Sequence, residues 1–148
     1  MAAEKLQPSG HTAMAEVLEK FETETLTQWV SEQIAAITMR RDLLNESQLR
    51  EQSRRFLSAF RPAVQSGITD ITAAPWSNVR DVLGDLSRER ASQGFTTSET
   101  ATFVFSLKQP LFSRLRTHIG ESKQAYDEAL WTTTVLLDKL GLYTAEVS

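Results

Sequence analysis

Apolar residues recur every three or four positions in five stretches of the chain, and this spacing predicts five α-helices. The stretches cover residues 12–39, 46–66, 75–93, 97–118 and 123–140. No stretch alternates apolar and polar residues as a half-buried strand would, and no Asn-Gly or Asp-Gly hairpin dipeptide is present. We therefore predict one all-α domain over residues 12–148, after a flexible tail over residues 1–11.

The third and fourth predicted helices meet at a sharp corner. Gly94 is able to take the left-handed conformation that ends a helix, and Phe95 can fold back onto the last turn. Thr96 and Glu99 then have the spacing of a capping box, which begins the next helix. That fourth helix is apolar on nearly every side, so we expect other helices to surround it as a central helix, and we expect Pro110 to kink it.

The residues around this corner resemble a known family. The stretch DLSRERASQGF, leading into SETATFVFSLKQPL, is similar to the N-terminal sensory domain of RsbR-type stressosome proteins, the RsbRD family. The similarity extends more loosely to the helix around Trp29, to LREQSRRFLSAF and to the Pro75–Trp76 pair, so it covers most of the chain. It implies a globin-like arrangement of the five helices, which periodicity alone does not distinguish from a bundle.

The resemblance also implies a function. Such a domain is the signal-input part of a regulator in sigma-factor stress-response signalling, the RsbT co-antagonist, and a C-terminal STAS domain ordinarily follows it. The STAS domain assembles with an RsbS-type scaffold and an RsbT-type kinase. We therefore expect the chain to be a fragment of a longer protein that acts by conformational change in a homodimer. Neither an enzymatic reaction nor a cofactor is expected.

Composition narrows the other classes. The chain has no cysteine, which excludes disulfides, thiolate metal sites and thiol catalysis. Its net charge of −3 is opposite to the basic surplus of a protein that binds nucleic acid through phosphates. No apolar run approaches the roughly 20 residues of a membrane span, and the N-terminus does not resemble a signal peptide. We expect a cytoplasmic protein that contacts neither nucleic acid nor membrane.

Only two histidines are available for imidazole chemistry, and His11 falls in the predicted tail. His118 continues an apolar stripe of the fourth helix, so in a globin-like fold it is a candidate axial ligand of haem iron, which would make the domain a gas sensor. We prefer the alternative that His118 lies near a helix C-terminus and satisfies free carbonyls there. The resemblance favours a globin fold without haem, and Phe103, Phe105 and Phe112 are large enough to fill a haem pocket.

Three carboxylates on the third helix, Asp81, Asp85 and Glu89, follow each other at four-residue spacing and are a weak candidate for a cation site. Nearby arginines are able to neutralise them: Arg80, Arg88 and Arg90. We therefore expect an exposed, ion-paired face and no metal site.

Several residues are candidates for helix packing or for a dimer contact. Gly84, Ser87 and Ala91 form a strip of small residues that allows a second helix to approach closely. Trp29 and Trp131 are expected to anchor the core or an interface, as large aromatic residues often do. A third possibility for the whole domain is a structural scaffold that displays an assembly surface and senses nothing.

Overall fold

The computed structural model describes residues 10–36, 40 and 42–147. Those residues form six α-helices and a 3-10 turn, and they contain no strand. The helices are α1 (Gly10–Ala35), α2 (Glu46–Gln65), α3 (Ser77–Gln93), α4 (Thr97–Phe105), α5 (Lys108–Ile119) and α6 (Lys123–Glu146), with the 3-10 turn Ala74–Trp76 before α3. The predicted all-α class is confirmed.

The helices pack around one core. α1 lies against α2, α5 and α6, while α4 packs mainly on α6 and α2 supports α3. Every helix contributes to a single cluster of buried apolar side chains, in which Trp29, Trp76, Phe56 and Phe60 are fully enclosed. This arrangement of long, crossing helices is consistent with the predicted globin-like domain.

The corner between α3 and α4 has the predicted form. Gly94 has a φ of 102°, and the Phe95 N–H donates to the Arg90 carbonyl at 2.9 Å, which closes α3. Thr96 Oγ1 accepts from the Glu99 N–H at 3.1 Å, and a Glu99 carboxylate oxygen accepts from the Thr96 N–H at 2.8 Å. α4 therefore begins three residues after Gly94.

The predicted fourth helix is present as two segments, α4 and α5, and the bend falls at Ser106 and Leu107. Pro110 is the third residue of α5 and has no N–H to donate to the Ser106 carbonyl, so the ladder is interrupted four residues before the proline. Trp29 Nε1 from α1 donates to Ser106 Oγ at 2.8 Å, and Ser106 Oγ donates to the Phe103 carbonyl at 2.7 Å. Side chains thus satisfy polar groups at the bend.

The two segments are not enclosed on all sides as predicted. Thr102 on α4 and Gln109 and Ser113 on α5 are exposed, whereas Val104 and Leu111 are buried. Each segment is therefore amphipathic. The helices with neighbours on most sides are α1, which packs on α2, α5 and α6, and α6, which packs on α1, α4 and α5.

Two helix ends differ from the prediction. α1 begins at Gly10, two residues before the predicted start, so Gly10 and His11 belong to it. The rest of the predicted tail, and residues 37–39 of the predicted first helix, lie outside the described residues. At the other end, Gly141 does not stop α6, which continues to Glu146. Gly141 lies inside this helix, and the Phe105 ring occupies the space that a side chain at position 141 would need.

None of the helices in the described part of the chain combines the length and apolar character that crossing a membrane requires.

Candidate functional site

An open pocket of about 870 Å³ lies beside the α3–α4 corner. Its walls come from the last turns of α1, the corner itself, the outer face of α4 and the beginning of α5. Four phenylalanines line it: Phe95, Phe103, Phe105 and Phe112. The pocket therefore presents aromatic surface to whatever enters it.

The sequence predicted that three phenylalanines would fill a haem pocket. In the structure they line an open pocket instead: Phe103, Phe105 and Phe112. Phe103 lies against Trp29, with ring centroids 4.9 Å apart, and the Phe105 ring lies against Gly141 of α6. Both rings are held along the walls by these neighbours, which leaves the space between them open.

Arg90, in the last turn of α3, is the most buried charged group of the pocket, with 3% of its surface exposed. Its guanidinium lies 4.6 Å from the centre of the Phe95 ring and 4.2 Å from that of Phe103. Arg90 Nε donates to Gln52 Oε1 at 2.9 Å. Among the described residues, no carboxylate forms an ion pair with Arg90, and neither of its terminal amino groups donates a hydrogen bond.

Burial lowers the pKa of Arg90 to about 10, and the carboxylates of Glu89 and Glu99 oppose that change from a distance. The guanidinium therefore remains protonated at neutral pH. A charge in such surroundings is costly unless hydrogen bonds and an opposite charge compensate it. The face of Arg90 toward the pocket lacks both kinds of compensation from the described residues.

Gln52 of α2 explains how Arg90 is held. The Gln52 side chain is buried, and its amide nitrogen donates to Glu89 Oε1 at 3.1 Å and to Gln93 Oε1 at 3.3 Å. Its oxygen is thereby directed at Arg90 Nε. Gln52 thus forms hydrogen bonds with Glu89, Arg90 and Gln93 of α3. Through these bonds α2 orients the guanidinium group of Arg90.

The other two cations at the pocket are already paired. Arg40 contacts Asp42 and Glu99, each at 3.3 Å, and Lys108 contacts Asp138 at 2.5 Å. The Asp42 side chain accepts hydrogen bonds from Arg40, which lowers the pKa of its carboxyl group. Arg90 is thus the cation of this pocket that lacks an ion-pair partner among the described residues.

Glu32 of α1 adds an acceptor to the wall. One carboxylate oxygen, Oε2, accepts from Gln28 Nε2 at 2.8 Å. The other, Oε1, is buried and has no hydrogen-bond partner in the described part of the chain. The pocket therefore combines aromatic walls, one uncompensated cation and one unused acceptor.

His118 lies away from this pocket. It is in the last turn of α5, whereas the pocket is lined by the beginning of that helix. The His118 side chain is 19% exposed, and its Nε2 lies 3.0 Å from Glu16 Oε1 of α1. A haem ligand needs a ring nitrogen directed into a cavity that accommodates the porphyrin. The residues around His118 do not fit haem, because Glu16 occupies Nε2 and the pocket lined by Phe103, Phe105 and Phe112 lies at the beginning of α5.

The three residues of the small-residue strip on α3 have different surroundings. A methyl group at Gly84 would have only the flexible Arg88 side chain within 4 Å, and Ala91 is exposed. Ser87 is buried, but its Oγ has no hydrogen-bond partner among the described residues. Among the described residues, no other helix comes within 4 Å of a methyl group at Gly84, and the packing or dimer role of Gly84, Ser87 and Ala91 stays a prediction.

The two tryptophan candidates separate clearly. Trp29 is completely buried and packs against Phe56 and Phe103, so it serves the core. Trp131 is 71% exposed on α6, and Leu142 on the same helix is 61% exposed. These two residues are eleven positions apart, about three helical turns, and so lie on one face of α6. We call Trp131 and Leu142 the α6 stripe.

Two of the three carboxylates in the row on α3, Asp85 and Glu89, form ion pairs. Asp85 contacts Arg88 at 2.6 Å, and Glu89 contacts Arg55 at 2.7 Å. Within residues 10–36, 40 and 42–147 there is no group of three acidic, histidine or cysteine side chains suited to a metal ion. Arg90 does not neutralise this row by direct contact, as the sequence suggested, because it turns inward toward α2 and the pocket.

Sequence reasoning missed Arg90, Gln52 and Glu32 as site residues. A signal for Arg90 was present: it follows Leu83 and Ser87 at helical spacing and so extends the buried face of α3. The prediction nevertheless placed Arg90 on the exposed face of the helix with Arg80 and Arg88. No comparable signal marks Glu32, whose role depends on the helices that meet it.

The described residues form an all-α domain, consistent with a globin-like type, and an aromatic pocket lies at its side. Comparison with known families places it more closely: the chain belongs to the family described as RsbT co-antagonist protein rsbRD N-terminal domain, which it matches over residues 23–147. This is the family of a stressosome regulator's N-terminal domain and confirms the resemblance. Neither a curated protein nor a solved structure matches the chain.

Proposed function

We propose that this domain is the signal-input module of an RsbR-type regulator, and that it acts as a homodimer in the cytoplasm without catalysing a reaction. The family match over residues 23–147 is the observation that carries this proposal. In the complete regulator, an STAS domain follows and engages an RsbS-type scaffold and an RsbT-type kinase. A stimulus changes the packing of the helices, and the change reaches that assembly through α6.

The packing of α6 supports this role. α6 lies against α4, α5 and α1. A movement of the pocket walls on α4 and α5 would therefore change the packing of α6. At Gly141 the Phe105 ring of α4 occupies the space that a side chain would need, so the ring lies against the α6 backbone. Phe105 also lines the pocket, and it therefore joins the pocket to the helix nearest the expected STAS domain.

The α6 stripe supports the dimer. A tryptophan and a leucine that are both more than half exposed on one helical face favour a contact with another protein surface. Tryptophan is among the residues that contribute most to binding at interfaces. In a two-fold dimer the same face occurs on both protomers, so each stripe meets its counterpart.

Substitution of Trp131 tests the dimer. Trp131→Glu introduces a charge into the α6 stripe, and we expect the dissociation constant of the purified chain to rise by at least about tenfold, measured by analytical ultracentrifugation. Ser47→Glu, which adds the same charge at an exposed position of α2, serves as the matched control. A wild-type chain that remains monomeric up to about 100 μM, with no stronger association in the full-length regulator, would contradict the proposal.

The signalling role is tested in the full-length regulator. Exchanging this domain for a helical domain of similar size is expected to preserve assembly with the scaffold protein but to remove the response of the kinase to stress. If the exchanged regulator responds normally, the domain is a structural scaffold and the proposed input role is wrong.

A further inference from the structure

We infer that the pocket beside the α3–α4 corner binds an aromatic carboxylate, whose carboxylate group meets Arg90 and whose ring lies among the four phenylalanines. Only the consequence of binding for signalling rests on the proposed function. The binding itself is a property of the pocket.

The environment of Arg90 indicates that the ligand has a carboxylate group. The guanidinium is almost completely buried, is oriented by Gln52 through Nε, and uses neither terminal amino group within the described residues. A planar guanidinium with a free edge matches a carboxylate, which is able to accept two parallel hydrogen bonds. Such a ligand supplies the opposite charge that the buried cation lacks.

The charge of the ligand follows from the neighbouring groups. Glu32 and Glu99 also line the pocket, while Arg40 and Lys108 are paired with carboxylates. A doubly charged phosphate would therefore face two carboxylates and find one uncompensated cation. A ligand with a single negative charge fits this balance better.

The phenylalanines in the walls of the pocket indicate that the ligand contains an aromatic ring. Phenyl rings form favourable offset or edge-to-face contacts with another aromatic ring, in addition to the gain from burying apolar surface. The volume of about 870 Å³ leaves space for one or two rings. The unused Oε1 of Glu32 also offers an acceptor to a hydroxyl or ammonium group on the ligand.

The test compares two probes that differ only in the head group, 3-phenylpropionate and 3-phenylpropan-1-ol. Each is titrated into the ¹⁵N-labelled 148-residue chain, and the Arg90 Nε–Hε resonance and the amide resonances of the corner are followed by NMR. Ligands of this size bind at about millimolar concentrations. We expect the carboxylate to bind at least about tenfold more tightly than the alcohol, because it bonds to a buried charge.

Arg90→Met removes the charge and is expected to reduce the affinity ratio of the two probes to about one. The matched control is Arg114→Met: Arg114 also lies over a phenylalanine, 5.8 Å from the centre of the Phe21 ring, but does not line the pocket. Thr102→Trp, at an exposed position of the lining, is expected to weaken both probes equally by obstructing the pocket. It keeps the test decisive if Arg90→Met fails to fold.

Three results would overturn the inference: equal affinities of the two probes for the wild-type chain, no saturable binding of either below about 10 mM, or unchanged binding in Thr102→Trp. None of these results bears on dimer formation or on the kinase response. The proposed function would then stand without this ligand class.

Discussion

At the scale of single residues, two side chains at or behind the pocket wall depend on hydrogen-bond partners in distant parts of the chain. Arg90 is held by Gln52, which lies 38 positions earlier, and Trp29 donates to Ser106, which lies 77 positions later. Capping residues behave differently, because Thr96 and Glu99 satisfy each other within one helical turn. The caps were accordingly predicted, and the long-range partners were not.

The Thr96–Glu99 cap predicts an acid-sensitive step in stability. The Thr96 N–H and, more weakly, Arg40 lower the pKa of Glu99 below its ordinary value. A carboxylate with a lowered folded-state pKa stabilises the fold above its unfolded-state pKa of about 4.3, and this contribution is lost as pH falls through the folded-state pKa. We expect Glu99→Gln to flatten the dependence of the urea midpoint on pH in that range.

Glu121→Gln, which removes an exposed carboxylate between α5 and α6, is the matched control for the Glu99 variant. The difference between the two variants isolates the effect of the cap. An identical pH dependence in Glu99→Gln and the wild-type chain would show that the cap does not contribute to acid stability.

At the scale of helices, the arrangement of α4, α5 and α6 decides where the pocket opens. The missing N–H of Pro110 divides one predicted helix at Ser106, and the two segments then pack on α6 with one face each. Phe105, at the end of α4, reaches the α6 backbone only because residue 141 is glycine. The predicted bend near Pro110 is confirmed, whereas the predicted end of the last helix at residue 140 is wrong, since α6 continues through Gly141 to Glu146.

Two glycines inside helices are expected to respond in opposite ways to alanine. Gly141→Ala places a methyl group where the Phe105 ring lies, so we expect a loss of about 1–3 kcal/mol in the free energy of unfolding. Gly84→Ala meets only the Arg88 side chain, at 3.5 Å, and is expected to add about 0.5–1 kcal/mol through helix propensity. Urea denaturation measures both, and each variant is the control for the other. Equal stabilisation by the two substitutions would contradict the packing described for Phe105.

At the scale of the whole molecule, the aromatic pocket and the α6 stripe are apolar surfaces that are available for binding. The pocket is lined by other helices, but α6, which carries Trp131 and Leu142, packs against two of them, α4 and α5. A ligand affects a signalling equilibrium only if it binds two arrangements with different affinity. The shared helix is the element through which pocket and dimer are able to influence each other.

Tryptophan fluorescence is expected to report the dimer directly. Trp29 and Trp76 are buried and Trp131 is exposed, so acrylamide should quench a single accessible emitter at low protein concentration. Trp131→Phe is expected to remove that component and leave the two buried tryptophans. If the α6 stripe forms the dimer, the accessible component should decrease as concentration rises. Quenching that is independent of concentration, in a sample shown to dimerise, would place the interface elsewhere.

The sequence by itself determined the features that depend on a few neighbouring residues: the all-α class, the capping box of Thr96 and Glu99, the glycine corner and a bend near Pro110. These follow from hydrogen bonds and backbone preferences that act within about four positions. Only the tertiary structure decided that Arg90 turns inward, that the phenylalanines line a cavity, that Trp131 faces solvent and that His118 meets Glu16. Those outcomes depend on how helices distant along the chain pack, and each helix alone is compatible with either orientation.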